Sequence, residues 1–220
     1  MVIDVYHDLI CPWCFIGKHR LERALAERPR PGLQIRWQPF QLNPNMPRGG
    51  MDRQAYLAVK FGGADRALQA YAAVAEAAVR DGIELALERV ARTPNTLDAH
   101  RLVRFLGERI GDPAVVVEAV FRAYFQEGRD IGSHVVLADI AVGLGCERDP
   151  VMAYLESAAD LPAVRGADAA ARQMGIQAVP CFVFDRRYAL SGAQEPPAFL
   201  PLFDLAAAET DLTEAGGMLG

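Results

Sequence analysis

The chain has 220 residues, 51% of them hydrophobic, and a formal net charge of −5, which suits a packed globular core in one large domain or two closely joined ones. A pI near 5.4 and the lack of any Lys/Arg cluster interleaved with aromatics argue against a nucleic-acid partner. No apolar run approaches the roughly 20 residues that a spanning helix needs, so no membrane partner is expected.

Met1 leads directly into Val2-Ile3-Asp4-Val5-Tyr6, which alternates as a strand does. No basic segment, apolar run or cleavage site precedes it, and a cytoplasmic location is expected. Cys11-Pro12-Trp13-Cys14 follows where this strand hands over to a helix. A helix N-terminus offers unpaired N–H groups and a partial positive charge, so Cys11 placed there should ionise readily. Pro12 fits the first helical turn, and Cys14, three residues on from Cys11, shares its face. Side chains at that spacing stand about 5–6 Å apart, near enough to close a disulfide. Cys11 is therefore read as the exposed nucleophile and Cys14 as the resolving thiol. A zinc knuckle also uses this spacing, but it wants a second close pair, and Cys146 and Cys181 stand alone, so no metal is expected.

The first helix should run over residues 12–28, broken by Pro29 and Pro31, before Leu33, Ile35 and Trp37 alternate as a half-buried strand. This is a β-α-β unit. Pro39, Pro44, Pro47 and Gly49-Gly50 then mark a loop, after which the pattern is helical for more than a hundred residues, with no strand signal. Starts at Asp52, Asp112-Pro113, Ser133 and Asp149-Pro150, with stops at glycine, predict five or six helices. The strand signal returns in Val179-Pro180-Cys181-Phe182-Val183-Phe184, turns at Asp185-Arg186-Arg187 and continues in Tyr188-Ala189-Leu190-Ser191, a hairpin. Glu195-Pro196-Pro197 opens a last helix to about Thr210, and the glycine-rich end should fray. A lone hairpin is marginal, so the two ends of the chain must share one sheet. Residues 1–48 and 176–220 form one domain on this reading, and residues 49–175 form a helical insertion that caps the site.

These residues resemble the thioredoxin superfamily, and within it the DsbA family of the FrnE-like kind: a C-P-W-C after the first strand, a helical insert, then V-P, a hairpin and S-G-A-Q. The resemblance implies an α/β, thioredoxin-like fold with a large all-helical insertion. It implies that Pro180 is cis and faces the dithiol, and that Val179 and Pro180 dock substrate beside Pro12 and Trp13. Thr93-Pro94-Asn95-Thr96 and Ala99-His100-Arg101 look like the family segment near the active site, which makes Asn95 and His100 candidate substrate-binding residues. Two departures stand out. Trp13 occupies the place of a histidine in DsbA itself, which predicts a weaker oxidant. Cys181 follows the proline directly, as a buried strand residue or as a third redox thiol. Cys146 reads as structural, His19 as exposed on the first helix, His134 as part of a helix start and His7 as a hydrogen-bonded structural residue.

The expected function is thiol–disulfide exchange or isomerisation through a mixed disulfide at Cys11 that Cys14 resolves, on a protein or small-molecule thiol or disulfide. No bound cofactor is expected beyond the redox-active disulfide, with glutathione as an optional co-substrate, and the chain is read as a monomer or homodimer. Two alternatives stay open. One is a glutathione-dependent isomerase or kappa-class-like transferase, families that resemble this fold but usually carry serine at the first position. The other is a chaperone-like module without redox turnover.

Overall fold

A computed structural model describes residues 1–205. The N-terminal unit comprises β1 (Val2–His7), α1 (Pro12–Glu27) and β2 (Gln34–Pro39). β1 and β2 run parallel, with Ile3 beside Ile35 and Val5 beside Trp37, as a crossover helix requires. There follow β3 (Met51–Asp52), α2 (Arg53–Phe61), α3 (Ala64–Arg80), β4 (Arg92–Thr93), α4 (Leu97–Ile110), α5 (Pro113–Phe125), α6 (His134–Gly143), α7 (Arg148–Glu156) and α8 (Leu161–Gln173). Asp52 and Asp112 cap α2 and α5 by accepting from the N–H groups of Ala55 and Ala114.

Two expectations need correction here. Seven helices, not five or six, lie between Arg53 and Gln173. The break between α7 and α8 is made by Ser157 to Asp160 without a glycine, Asp160 itself taking the left-handed conformation at φ 58°. The helical region also holds a two-residue ladder, β3 against β4, too short for alternation to announce it.

β5 (Cys181–Phe184) and β6 (Tyr188–Ser191) form the hairpin, and β5 inserts antiparallel beside β1, so the sheet order is β2-β1-β5-β6. The chain ends thus meet in one sheet. Asp185 ties the hairpin turn to the start of β1 by accepting from the Val2 N–H at 2.6 Å. With neighbours on both sides, β1 is covered on both faces. Ile3 and Val5 pack with Leu21, Phe182, Phe184 and Phe199 beneath α1, while Asp4 and Tyr6 are buried on the opposite face, where Asp4 accepts from Gln38 at 2.9 Å. After the hairpin a 3-10 turn at Pro196–Ala198 precedes a helix over residues 200–205. The rest of the expected last helix and the tail lie outside the described residues. No helix among those residues is long and apolar enough to cross a membrane.

The helical segment shares its core with the dithiol end of the sheet. Phe15 of α1 stacks on Phe121 and Phe125 of α5 at 5.2 and 6.0 Å between ring centres, and Leu9, Ile10 and Leu102 close the same cluster. Lys18 of α1 pins this contact. It is almost fully buried and pairs with Glu118 of α5 at 2.8 Å and with Glu22 at 2.6 Å. His19, expected to be exposed, is half-buried against Phe15 and lies 3.5 Å from Glu118, because α5 covers that flank of α1. Burial alone would raise the Glu118 carboxyl, but His19 and Lys18 outweigh it and hold it down to about 2. Since that lies below the ordinary 4.5, the pair stabilises the fold fully above about pH 5 and loses its contribution as pH falls toward 2. Glu118→Gln should therefore cost about 1–2 kcal/mol at pH 7, after discounting for the exposed quarter of the side chain, and almost nothing near pH 2. Urea melts of both forms at the two pH values check this.

Candidate active site

Cys11 is the N-cap of α1, in an extended conformation (φ −93°, ψ 111°), with Pro12 in the first helical turn. Its carbonyl accepts from the Cys14 N–H at 3.0 Å, and its own N–H donates to Asp8 O at 3.0 Å. The two thiols are both free. Cys11 is not the exposed group the sequence suggested: it is 5% accessible and Cys14 is 1%. The loop after β1 folds into the core with Leu9 and Ile10, and the Val179 carbonyl covers the Cys11 sulfur at 3.6 Å.

The Val179-Pro180 peptide is cis, and Gly192 after β6 donates to the Pro180 carbonyl at 2.8 Å, tying the loop to the hairpin. Gly17 is what lets this loop approach α1. A Cβ there would stand 2.8 Å from Pro180 Cγ and 3.2 Å from Phe182 Cζ. The sequence reading missed Gly17, although a glycine inside a helix, costing about 1 kcal/mol against alanine, is a signal of close packing.

The environment drives the two thiols apart. A hydrogen bond from the Cys14 thiol, with help from the Cys14 N–H and the Lys60 charge, lowers the Cys11 thiol below its ordinary value against burial and the Asp8 charge. Burial pushes the Cys14 thiol well up, and its bond to Cys11 and the Asp8 charge push the same way. The N-terminal end of α1 favours the anion at Cys11 as well. Lys60 of α2 was not anticipated. It also lines a cavity of about 410 Å³ with Leu42, Met46, Met51, Tyr56 and Val59.

The other candidates have distinct places. Pro12 is buried and Trp13 half-buried against the shared core. Asn95 is a loop tether: it donates to Met46 O at 2.6 Å and accepts from Leu97 N at 3.0 Å at the start of α4. His100 is 3% accessible and sits 3.5 Å from Asp8 Oδ1, with its ring 5.1 Å from that of His7. His7 donates from Nδ1 to Gln38 O at 3.0 Å, as a structural histidine does; burial and the neighbouring His100 lower it to about 3, so it stays neutral. His134 begins α6 and pairs with Asp98 at 2.8 Å. Cys181 is buried in β5 opposite Tyr6, and burial raises its thiol, the wrong direction for a nucleophile. Cys146 is half-buried at the edge of the core. Among the described residues no group of three or more His, Cys, Asp or Glu side chains is placed to hold a metal.

A dithiol at the mouth of the helix after the first strand, facing a cis-proline loop from the returning strand, defines a protein of the thioredoxin class. The chain belongs to the DSBA-like thioredoxin domain family, whose pattern matches residues 2–203, a family of thiol–disulfide oxidoreductases. Its fold is close to that of a probable DsbA oxidoreductase from Streptomyces coelicolor, 31% identical, with a TM-score of 0.86 over 95% of this chain and 91% of that one. The uncharacterised protein YwbO of Bacillus subtilis is 27% identical over 82% of this chain and 85% of its own length. The fold also matches the cytosolic disulfide reductase DsbM of Pseudomonas aeruginosa, solved with glutathione, at 19% identity and a TM-score of 0.63 over 98% of this chain and all of that one.

Proposed function

We propose that the protein reduces or exchanges disulfides through Cys11 in a reducing, cytoplasmic setting. The Cys11 thiolate attacks one sulfur of a substrate disulfide, forming a mixed disulfide and releasing the other substrate half as a thiolate. Cys14 then gives up its proton and attacks Cys11; the Cys11–Cys14 bond forms and the second substrate thiolate leaves. The substrate is left reduced by two electrons and the protein oxidised, and an external thiol such as glutathione restores the dithiol.

The observation that carries this reading is the placement of the dithiol, Cys11 capping α1 with its sulfur 3.6 Å from the Val179 carbonyl of the cis-proline loop; the opposite displacement of the two thiols, Cys11 toward the anion and Cys14 toward the protonated form, agrees with it. One sulfur is ready to attack while the other is kept in reserve. The Val179 carbonyl over Cys11 supports substrate docking at this loop.

Cys14→Ser supplies the test. It should hold the reaction at the mixed disulfide, so that mass spectrometry after mixing with a small aromatic disulfide finds one covalent adduct per chain, on Cys11, and multiple turnover stops. Full turnover in Cys14→Ser would transfer the assignment to a glutathione-dependent isomerase or transferase. No adduct at all would leave only a non-redox role.

A further inference from the structure

The loop that carries Val179 and Pro180 must be held at a set height over α1, and the hydrogen bonds around it lead to one side chain. The Pro180 carbonyl accepts from Gly192 N at 2.8 Å. Gly192 belongs to a closed turn, since Gln194 donates from its main chain to Gly192 O at 2.9 Å and from Nε2 to Ser191 O at 2.9 Å. The next carbonyl of that turn, Ala193 O, accepts from Arg20 Nη1 at 2.6 Å. Arg20 stands on α1 three residues after Gly17, so one side of the helix both admits Pro180 and grips the turn behind it. The other nitrogens of Arg20 are spent as well. Nε donates to Asp81 Oδ2 at 2.6 Å, at the end of α3, and Nη2 lies 2.8 Å from Glu195 Oε1. Arg20 is 4% accessible and the Asp81 side chain 1%. Taking a guanidinium out of water is costly, and an apolar side chain would fill the space without that cost; the planar fork adds fixed directions toward three separate partners at once.

We infer that Arg20 is a positioning residue for substrate binding: by holding Ala193 to α1 and to the end of α3, it fixes the Val179-Pro180 main chain at the distance from Cys11 at which an extended segment of a peptide or protein disulfide docks. It acts through the loop, not on the sulfurs. The helical segment takes part through Asp81, which also accepts from Arg23 Nη1 at 2.8 Å, so the turn behind the cis proline is tied to both parts of the fold. Loss of the fork leaves Cys11 its helix end and its Cys14 neighbour, and with them its attack on a small disulfide. What weakens is the encounter with a chain that must pair with the loop.

The inference rests on the redox reading above, and one experiment separates their failures. Reduced protein is mixed with Ellman's reagent and, separately, with a hexapeptide whose single cysteine carries the same thionitrobenzoate leaving group. The first phase of chromophore release reports the attack by Cys11 on each. If wild type reacts with neither, the redox reading fails. If it reacts with Ellman's reagent but the peptide gives no saturation and no faster rate, the loop docks no chain and the inference fails alone. Given saturation, Arg20→Met should raise the half-saturating peptide concentration about fivefold or more, with the maximal rate and the rate with Ellman's reagent each within about twofold of wild type. Were Arg20 only a brace of the fold, Arg20→Met would lower the melting temperature and leave the half-saturating concentration unchanged, which overturns the inference; so does an equal fall in rate with both reagents. Should Arg20→Met fail to fold by circular dichroism, Arg20→Lys serves, since it keeps a charge beside Asp81 but has one donor centre in place of the fork. A raised half-saturating concentration with an unaltered Ellman's rate then supports the inference, and wild-type values overturn it.

Discussion

Cys11→Ser is expected to lower disulfide reduction by about a thousandfold or more, to the level of buffer thiols, while leaving the melting temperature nearly unchanged. A hydroxyl at this position cannot ionise near neutrality and forms no mixed disulfide. The fold does not depend on the sulfur, because the Cys11 main chain supplies the hydrogen bonds that begin α1. In the wild type, the pH profile of the first attack carries further information. The Cys11 thiol lies below its ordinary value of 9.0, so the rate should rise with pH and reach its plateau before pH 9. A rate that still climbs through pH 9 would mean that neither the Cys14 hydrogen bond nor the helix end stabilises the anion.

The second large effect lies away from the sulfurs. Arg101 of α4 is completely buried, and its guanidinium spends every donor direction. Nε donates to Ala159 O at 2.7 Å, Nη1 to Asp98 Oδ1 at 2.6 Å and Leu155 O at 3.0 Å, and Nη2 to Tyr154 O at 2.8 Å and Ser157 O at 2.9 Å. Four of these acceptors are carbonyls at the C-terminal end of α7 and the turn beyond it, where a helix leaves carbonyls unpaired and favours a cation. Arg101→Met matches much of the side-chain length but takes the guanidinium donor from all five acceptors, of which the Tyr154 carbonyl keeps Ser157 as a partner. It should cost about 3–5 kcal/mol and lower the melting temperature by roughly 10 °C or more. Arg101→Lys, with charge but a single donor centre, should fall between. Differential scanning calorimetry of the three forms measures the series, and a loss below about 1 kcal/mol in Arg101→Met would show that the turn finds other partners.

Arg101 and His100 also show what sequence proximity conceals. The resemblance grouped them as one stretch near the active site. On α4, successive side chains point about 100° apart, so His100 faces Asp8 and the dithiol loop while Arg101 faces α7. Asn95, grouped with them, holds the loop around Met46 to the start of α4. Lys60 and Gly17 went unnoticed for a related reason: each matters only through a residue far away in the chain, Cys11 for the one and Pro180 for the other.

The amino-acid order alone determined the β-α-β start, the dithiol at its helix mouth, the caps of α2 and α5 and the closing hairpin, since these follow from alternation, spacing and side-chain-to-backbone bonds within a few residues. Tertiary structure alone decided that Cys11 is covered rather than exposed, that its thiol and that of Cys14 part in opposite directions, and that Asp8, His100 and His7 are buried side by side. Those outcomes depend on burial and on charges brought together when β5 inserts beside β1, placing the Val179 carbonyl on a sulfur 168 positions earlier. Desolvation and Coulomb interactions act through space, and no local pattern encodes which distant groups will supply them.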